Sequence, residues 1–242
     1  MNSDGTRLNK FLASCGVGSR RACDALIQEG GVTVNGERCD NPATRVTAED
    51  MVRVAGRRVA PKQTTTILFK KPRGYVCSKS DELGRATIYE LLPPKFAHLN
   101  HVGRLDRDSE GLLVLSNDGE LANRLTHPRN KVEKEYRVTL ASAFDNSILE
   151  KLTSGVHTPE GRARAKSVRR LSPRRVSMIL ETGLKRQIRE MFSTLGIRVT
   201  KLSRIRIGKL TDPELPMGRW RTLESEDLEF LSHDPAPTRK GK

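Results

Sequence analysis

The stretch Gly103-Arg104-Leu105-Asp106-Arg107-Asp108-Ser109-Glu110-Gly111-Leu112-Leu113-Val114-Leu115-Ser116-Asn117-Asp118-Gly119 constrains this chain more than any other. Leu112 to Leu115 is an unbroken apolar run, and such a run between turn residues reads as a buried strand. Asn117-Asp118-Gly119 ends it with turn chemistry. Asp106, flanked by arginines, then stands on a loop at the mouth of a rigid strand, where loops carry chemistry. A lone loop aspartate more often caps a turn; the residues around this one shift the balance towards a nucleophile.

Charge narrows the partner. Lys and Arg number 44 against 29 Asp and Glu, a formal excess of +15 spread over most of the chain. An excess this large points to a polyanion. No basic amphipathic helix with an aromatic face stands out, so nucleic acid is favoured over a membrane surface. Aromatic residues are only 4%, too few for a large base-stacking platform. Phosphate contacts are expected to supply most of the affinity. The cysteines Cys15, Cys23, Cys39 and Cys77 match no zinc or redox spacing. Reduced thiols in a cytoplasmic protein are expected, with no signal region and no membrane span. His98 and His101 lack the carboxylate or cysteine partners of a metal site, so no metal is expected.

Residues 1–58 have a pattern of their own. Leu8, Phe11 and Leu12 fall on one helical face, and Gly16-Val17-Gly18 breaks that helix. Ser19 is placed to cap a second helix that Gly30-Gly31 ends. Val32-Thr33-Val34, Asn35-Gly36 and Glu37-Arg38-Cys39 form a hairpin with a type I′ turn. Arg7, Lys10, Arg20 and Arg21 lie near the helix starts, where N–H groups and the dipole already favour phosphate. Arg7-Leu8-Asn9-Lys10-Phe11-Leu12-Ala13, Gly18-Ser19-Arg20-Arg21 and Gly31-Val32-Thr33-Val34-Asn35-Gly36 resemble the RNA-binding domain named after the fourth small-subunit ribosomal protein. That resemblance implies binding of structured RNA through the two helices.

Residues 59–64 read as a linker and residues 65–233 as a second domain, leaving a basic tail, 234–242, expected to be disordered. In the second domain Ile67-Leu68-Phe69 starts a strand, and Pro72 and Gly74 make a turn to another. Glu120 to His127 reads as a short helix. Lys134 to Leu140 alternates as a strand with Tyr136, Val138 and Leu140 on one face. Ile148, Leu149 and Leu152 suggest a helix, and 163–168 and 176–180 read as strands. Ile188, Met191, Phe192 and Leu195 give a helix over 185–195, and 223–231 gives the last one. Arg204-Ile205-Arg206-Ile207 would be a strand with both arginines on one face. Strands with interspersed helices but little βαβ spacing indicate α+β. The fold expected is a small N-terminal α/β RNA-binding domain, then a mixed, largely antiparallel catalytic domain.

Three segments of that domain resemble one family. Gly103-Arg104-Leu105-Asp106 with Gly111-Leu112-Leu113 resembles the nucleophile motif of pseudouridine synthases. Lys134-Glu135-Tyr136 resembles their tyrosine-bearing strand, and Gly183-Leu184-Lys185-Arg186-Gln187-Ile188-Arg189 their third motif. Together with the N-terminal domain, these motifs look like the RsuA family, which modifies ribosomal RNA. Leu184 and Glu190 depart from the commoner basic or polar residues, which touches substrate identity rather than chemistry.

The resemblance implies isomerisation of uridine to pseudouridine in RNA, without a cofactor. It makes Asp106 the catalytic carboxylate, attacking either sugar or base. Arg189 would pair with Asp106 and keep it charged. Tyr136 would pack on the target base and could help remove its carbon-five proton. Arg104 would enter the vacated base position or bind phosphate. The RNA contacts expected are Arg7, Lys10, Arg20, Arg21, Lys71, Arg73, Arg104, Arg186, Arg204 and Arg206, with Lys70 beside them. Extracting a stacked or paired uridine costs roughly a few kcal/mol, which basic contacts would offset. The partner is ribosomal RNA or a subunit assembly intermediate, and a monomer is expected. His127-Pro128-Arg129 and the run 161–168 look more like large-subunit enzymes. One rival reading is a non-catalytic RNA-binding or ribosome-assembly protein on the same fold; another is an enzyme acting on transfer RNA, which the N-terminal domain and the form of the Asp106 motif disfavour.

Overall fold

The computed structural model describes residues 5–232, and the expected tail at 234–242 lies outside them. The chain divides after Thr64 into two compact units.

In the first unit, helices Leu8–Ser14 and Arg20–Gln28 pack their apolar faces together, burying Leu8, Leu12, Cys23 and Ile27 against Val32, Val46 and Val52. Ser19 caps the second helix by accepting from Ala22 N at 3.1 Å. Gly30, at φ +79, ends it, and Gly31 N reaches back to Leu26 O at 3.0 Å. Asn35 and Gly36 sit at φ +53 and +93, the signs a type I′ hairpin requires. The hairpin belongs to a four-stranded antiparallel sheet ordered Glu37–Arg38, Val32–Val34, Val52–Val54, Arg57–Arg58. Lys62 N bonds Ser14 O at 3.1 Å, so part of the 59–64 stretch is tied into this unit.

The second unit is built on a sheet that runs Ser167–Ser172, Arg175–Leu180, Lys134–Leu140, Val199–Ile207, Glu110–Ser116, Thr66–Lys71, Trp220–Thr222. Leu210–Thr211 and Asn100–Val102 pair alongside. Its pairings are antiparallel except that of Val199–Ile207 with Glu110–Ser116. Glu110–Ser116 is buried along its whole length. Leu112 and Val114 face one apolar cluster with Leu121 and Leu125, while Leu113 and Leu115 face another with Ile88 and Phe96. Burial on both faces explains why the run is continuously apolar rather than alternating. A third cluster, around Val138, Met178, Met191 and Phe192, fills the space under helices Ser147–Ser154 and Gln187–Thr194.

Some expected elements differ. The 163–168 run is not one strand: Gly161–Ala163 pairs with Val156–Thr158, and Ser167–Ser172 joins the main sheet. The backbone between them is held instead by Ala165 N to Leu152 O at 2.8 Å, with the Ala165 side chain buried. After the turn at Gly74, Val76 makes only an isolated bridge to Thr87. The 185–195 helix starts at Gln187, because Arg186 adopts a left-handed conformation at φ +51. The last helix is Ser225–Ser232.

Candidate active site

The loop before Glu110–Ser116 is fixed from below. Ser109 N donates to Asp106 O at 3.0 Å, closing a turn. Lys71 is 0% exposed, and its Nζ donates to the carbonyls of Pro72, Asp106 and Ser109 at 3.0, 3.1 and 2.8 Å. One buried ammonium therefore holds both ends of the turn. Burial pushes that ammonium below its ordinary pKa, against the opposing pull of Cys77, Asp106 and Asp108. Leu105 N donates to Cys77 Sγ at 3.4 Å, and Gly74 N donates to Arg107 O at 2.7 Å. These bonds fix the backbone of Asp106 without using its carboxylate.

Asp108 is the loop's charged anchor. Arg186 forks onto its two carboxylate oxygens at 3.2 Å each. Arg189 Nε lies 3.1 Å from Asp108 Oδ2, and its two terminal nitrogens donate to Asp108 O at 2.9 Å and Val199 O at 3.1 Å. Burial alone would raise the Asp108 pKa; the Arg186 hydrogen bonds and the charges of both arginines outweigh it and hold the carboxyl below its usual range. The expected Arg189–Asp106 pair is therefore replaced by Arg189–Asp108. The tight turn sends Asp108 to the helix Gln187–Thr194 while Asp106 lines the adjoining cavity.

That cavity holds about 320 Å³. Arg104, Asp106 and Ser109 line it from the loop, Lys134 and Tyr136 from one strand, and Arg204 from the next. Residues 180–188 close the remaining side. Tyr136 and Arg204 are paired neighbours on adjacent strands. Lys134 Nζ donates to Leu125 O at 3.2 Å and Val132 O at 2.9 Å. Burial, reinforced by the charge of Arg204, pushes Lys134 down to about 8. The wall thus combines a carboxylate, a phenol and two fixed cations around a space of nucleoside size.

The basic residues expected to touch RNA separate into two groups. Arg7, Arg20, Arg21, Arg73 and Arg104 are exposed, and Lys10 and Lys70 are half-buried. Lys70 Nζ donates to Pro213 O at 3.0 Å. Lys71, Arg204 and Arg206 do not fit the expectation of surface contacts. Lys71 is enclosed as described, and Arg204 is 4% exposed with Nε donating to Leu112 O at 2.7 Å. Arg206 is bonded to Glu135 and Glu133 at 2.9 and 3.1 Å. Lys71 and Arg204 are buried and Arg206 is half-buried, and each meets a carbonyl or carboxylate that offsets the loss of water. Arg186 is exposed but engaged with Asp108.

Sequence reasoning missed Ser109, Lys134, Asp108 and the demands on Gly111. A Cβ at Gly111 would meet Arg204 O at 2.2 Å and Arg204 N at 2.6 Å, and its φ is +111. Only glycine lets the parallel strand approach there. The signals lie in the sequence: Lys134 opens the Lys-Glu-Tyr segment, and Asp108 lies two residues from Asp106.

Known proteins are similar to this chain over most of its length. The family described as RNA pseudouridylate synthase matches residues 65–194, and that described as S4 domain matches residues 6–52. An uncharacterized RNA pseudouridine synthase of Aquifex aeolicus is 37% identical over 93% of this chain and 93% of its own length. The ribosomal large subunit pseudouridine synthase B of Bacillus subtilis is 34% identical over 93% and 95%, and that of Yersinia pestis 33% over 94% and 75%. A crystal structure of a pseudouridylate synthase superposes with a TM-score of 0.69 at 29% identity, covering 94% of this chain and all of that one. With the cavity, its loop carboxylate and these matches together, the chain belongs to the RNA pseudouridylate synthases.

Proposed function

We propose that this protein isomerises a uridine of large-subunit ribosomal RNA to pseudouridine, in the cytoplasm, as a monomer and with Asp106 as its catalytic carboxylate. The reading is carried by one observation: Asp106 and Tyr136 line a single nucleoside-sized cavity in a chain of this family. The large-subunit substrate is taken from the names of the relatives from Bacillus subtilis and Yersinia pestis.

The reaction breaks the bond between ribose C1′ and base N1, turns the base, and joins C5 to C1′. The proton on C5 is lost and N1 gains one, so the product is an isomer. Asp106 acts on the reacting nucleoside, with its backbone anchored by Lys71 so that its carboxylate is presented to the cavity. Tyr136 packs on the base from the neighbouring strand. Arg189 acts at one remove, by fixing Asp108 and so the far side of the loop. Arg104, exposed at the rim, contacts the RNA around the extracted nucleotide. The exposed arginines of the first unit, Arg7, Arg20 and Arg21, bind RNA phosphates, which makes affinity salt-dependent.

The test is tritium release from large-subunit transcripts and assembly intermediates labelled at carbon five of uridine, beside Asp106→Ala. Release by the parent and none by the variant, at similar RNA affinity, is the expected result. Binding without release by the parent on every substrate form refutes the enzyme reading and leaves an RNA-binding protein.

A further inference from the structure

Among the described residues, four buried side-chain polar atoms lack a hydrogen-bond partner: Asn9 Oδ1, Ser109 Oγ, Arg189 Nε and Arg204 Nη2. Arg189 Nε still has its Asp108 ion pair. Ser109 and Arg204 both belong to the cavity wall beside Asp106. A buried arginine N–H without an acceptor is a costly arrangement that calls for an explanation. Arg204 is also rigidly held, since its Nε is spent on Leu112 O and its backbone pairs with Gly111, where a Cβ would land 2.2 Å from Arg204 O. Lys134, lining the same wall, carries a second positive charge close enough to feel that of Arg204.

We propose that Arg204 is a catalytic residue that stabilises the detached uracil as an anion, with Lys134 reinforcing it. This rests on the uridine isomerisation proposed above. When the C1′–N1 bond breaks heterolytically, its electron pair goes to the base, where N1 and the two carbonyl oxygens share the charge. The electron deficit left at C1′ faces the carboxylate of Asp106. A base packed on Tyr136 lies beside Arg204, the strand neighbour of Tyr136, and one carbonyl oxygen accepts from the orphan Nη2. No proton passes through the guanidinium. A donor fixed in advance and shielded from water favours charge that appears only during bond cleavage, which speeds the step without tightening ground-state binding. Ser109 Oγ, the other orphan, is placed to serve the same ring or the loop that faces it.

The experiment uses the full chain and a short large-subunit transcript on which the parent releases tritium; no release by the parent would overturn the proposed function and not reach this inference. Single-turnover conversion is then followed by nuclease digestion and chromatography for Arg204→Met, Arg204→Lys and Lys134→Met. Each is tested on the uridine transcript and on one with 5-fluorouridine at the target, where consumption of the fluorinated nucleoside is the readout: C5 then carries fluorine in place of the proton, so the rejoined base keeps the fluorine and water adds across its C6–N1 double bond. Fluorine draws electrons from the ring and makes the base a better leaving group. Arg204→Met is expected to lose about a hundredfold or more on uridine, to keep RNA affinity within about threefold, and to lose roughly tenfold less on 5-fluorouridine. Arg204→Lys recovers part of the rate, and Lys134→Met shows the same substrate dependence at smaller size. Equal losses on both substrates would overturn the inference, because a merely misplaced site slows both alike. A loss seen in RNA affinity alone would overturn it as well. Should Arg204→Met fail to fold, as judged by circular dichroism, the two lysine-based variants decide by the same ratio.

Discussion

Substituting Gly111 by alanine tests whether the site depends on how closely two strands approach. Gly111 and Gly161 have nearly the same backbone torsion, φ +111 and +108. They differ in surroundings: a Cβ at Gly161 meets nothing within 4 Å, whereas one at Gly111 lands 2.2 Å from Arg204 O. Reaching even 3.0 Å requires the two backbones to separate by about 0.8 Å. The parallel pairing there rests on Ser203 opposite Glu110 and Arg204 opposite Gly111, so the shift falls on the whole of that ladder. It also stretches the 2.7 Å bond from Arg204 Nε to Leu112 O.

Gly161→Ala carries only the cost of the torsion, about 1 kcal/mol. Gly111→Ala adds about 1–3 kcal/mol of overpacking and part of a charge-assisted hydrogen bond of about 1.5–3 kcal/mol. A difference of about 3 kcal/mol between the two variants is expected. At about 2–4 °C per kcal/mol for a domain of this size, Gly111→Ala should unfold on the order of 10 °C below Gly161→Ala in thermal circular dichroism. Tritium release should fall with it, because the same strand carries the Asp106 loop. Equal melting temperatures for the two variants would refute the argument, since torsion alone would then account for the glycine.

Lys71→Met should destabilise the second unit by about 3 kcal/mol, by leaving three carbonyls without their cation, and should reduce turnover; the salt dependence of RNA binding should keep its slope, whereas a true phosphate contact would reduce it by about 1. Asp108→Asn should remove part of the acid sensitivity of the fold. The folded carboxyl of Asp108 lies below its ordinary 3.8, so its stabilisation is present above that pH and is lost as pH falls through the folded value; denaturation curves of parent and variant should converge at the acid end. Lys134 acts in the opposite sense: its folded pKa of about 8 lies below 10.5, so the protonated form is disfavoured by folding. Its contribution to stability should therefore rise between about pH 8 and 10.5, and Lys134→Met should flatten that rise in urea titrations.

What could be read from the sequence divides by the range of the interactions involved. The first unit was legible almost residue by residue, because Ser19, Gly30, Asn35 and Gly36 act through local backbone geometry. The buried strand was legible from Leu112–Leu115 alone, since burial on both faces leaves no alternation to misread. The single strand expected over 163–168 failed where local pattern and tertiary bonding disagree: Ala163 and Ala165 are both buried in one cluster, yet the backbone between them pairs with different partners.

The site shows the same division more sharply. Asp106 and Tyr136 could be singled out by motif, and the fold brings them to one cavity. The roles of the cations could not. Lys71, Arg204 and Arg206 look in sequence like any basic surface residue, and a charge count assigns them to RNA. Each is instead committed to an acceptor that lies far along the chain: Lys71 to Asp106 and Ser109, Arg204 to Leu112, Arg206 to Glu133 and Glu135. The positive charge of this protein therefore serves two separate purposes. Exposed arginines are available to the RNA backbone, while Lys71 holds the Asp106 loop, Arg204 charges the cavity wall and Arg206 is paired with two glutamates. Neutralising the first group should change affinity and its salt dependence; neutralising the second should change turnover and stability. The net charge of +15 does not distinguish them, because only burial and acceptor geometry do.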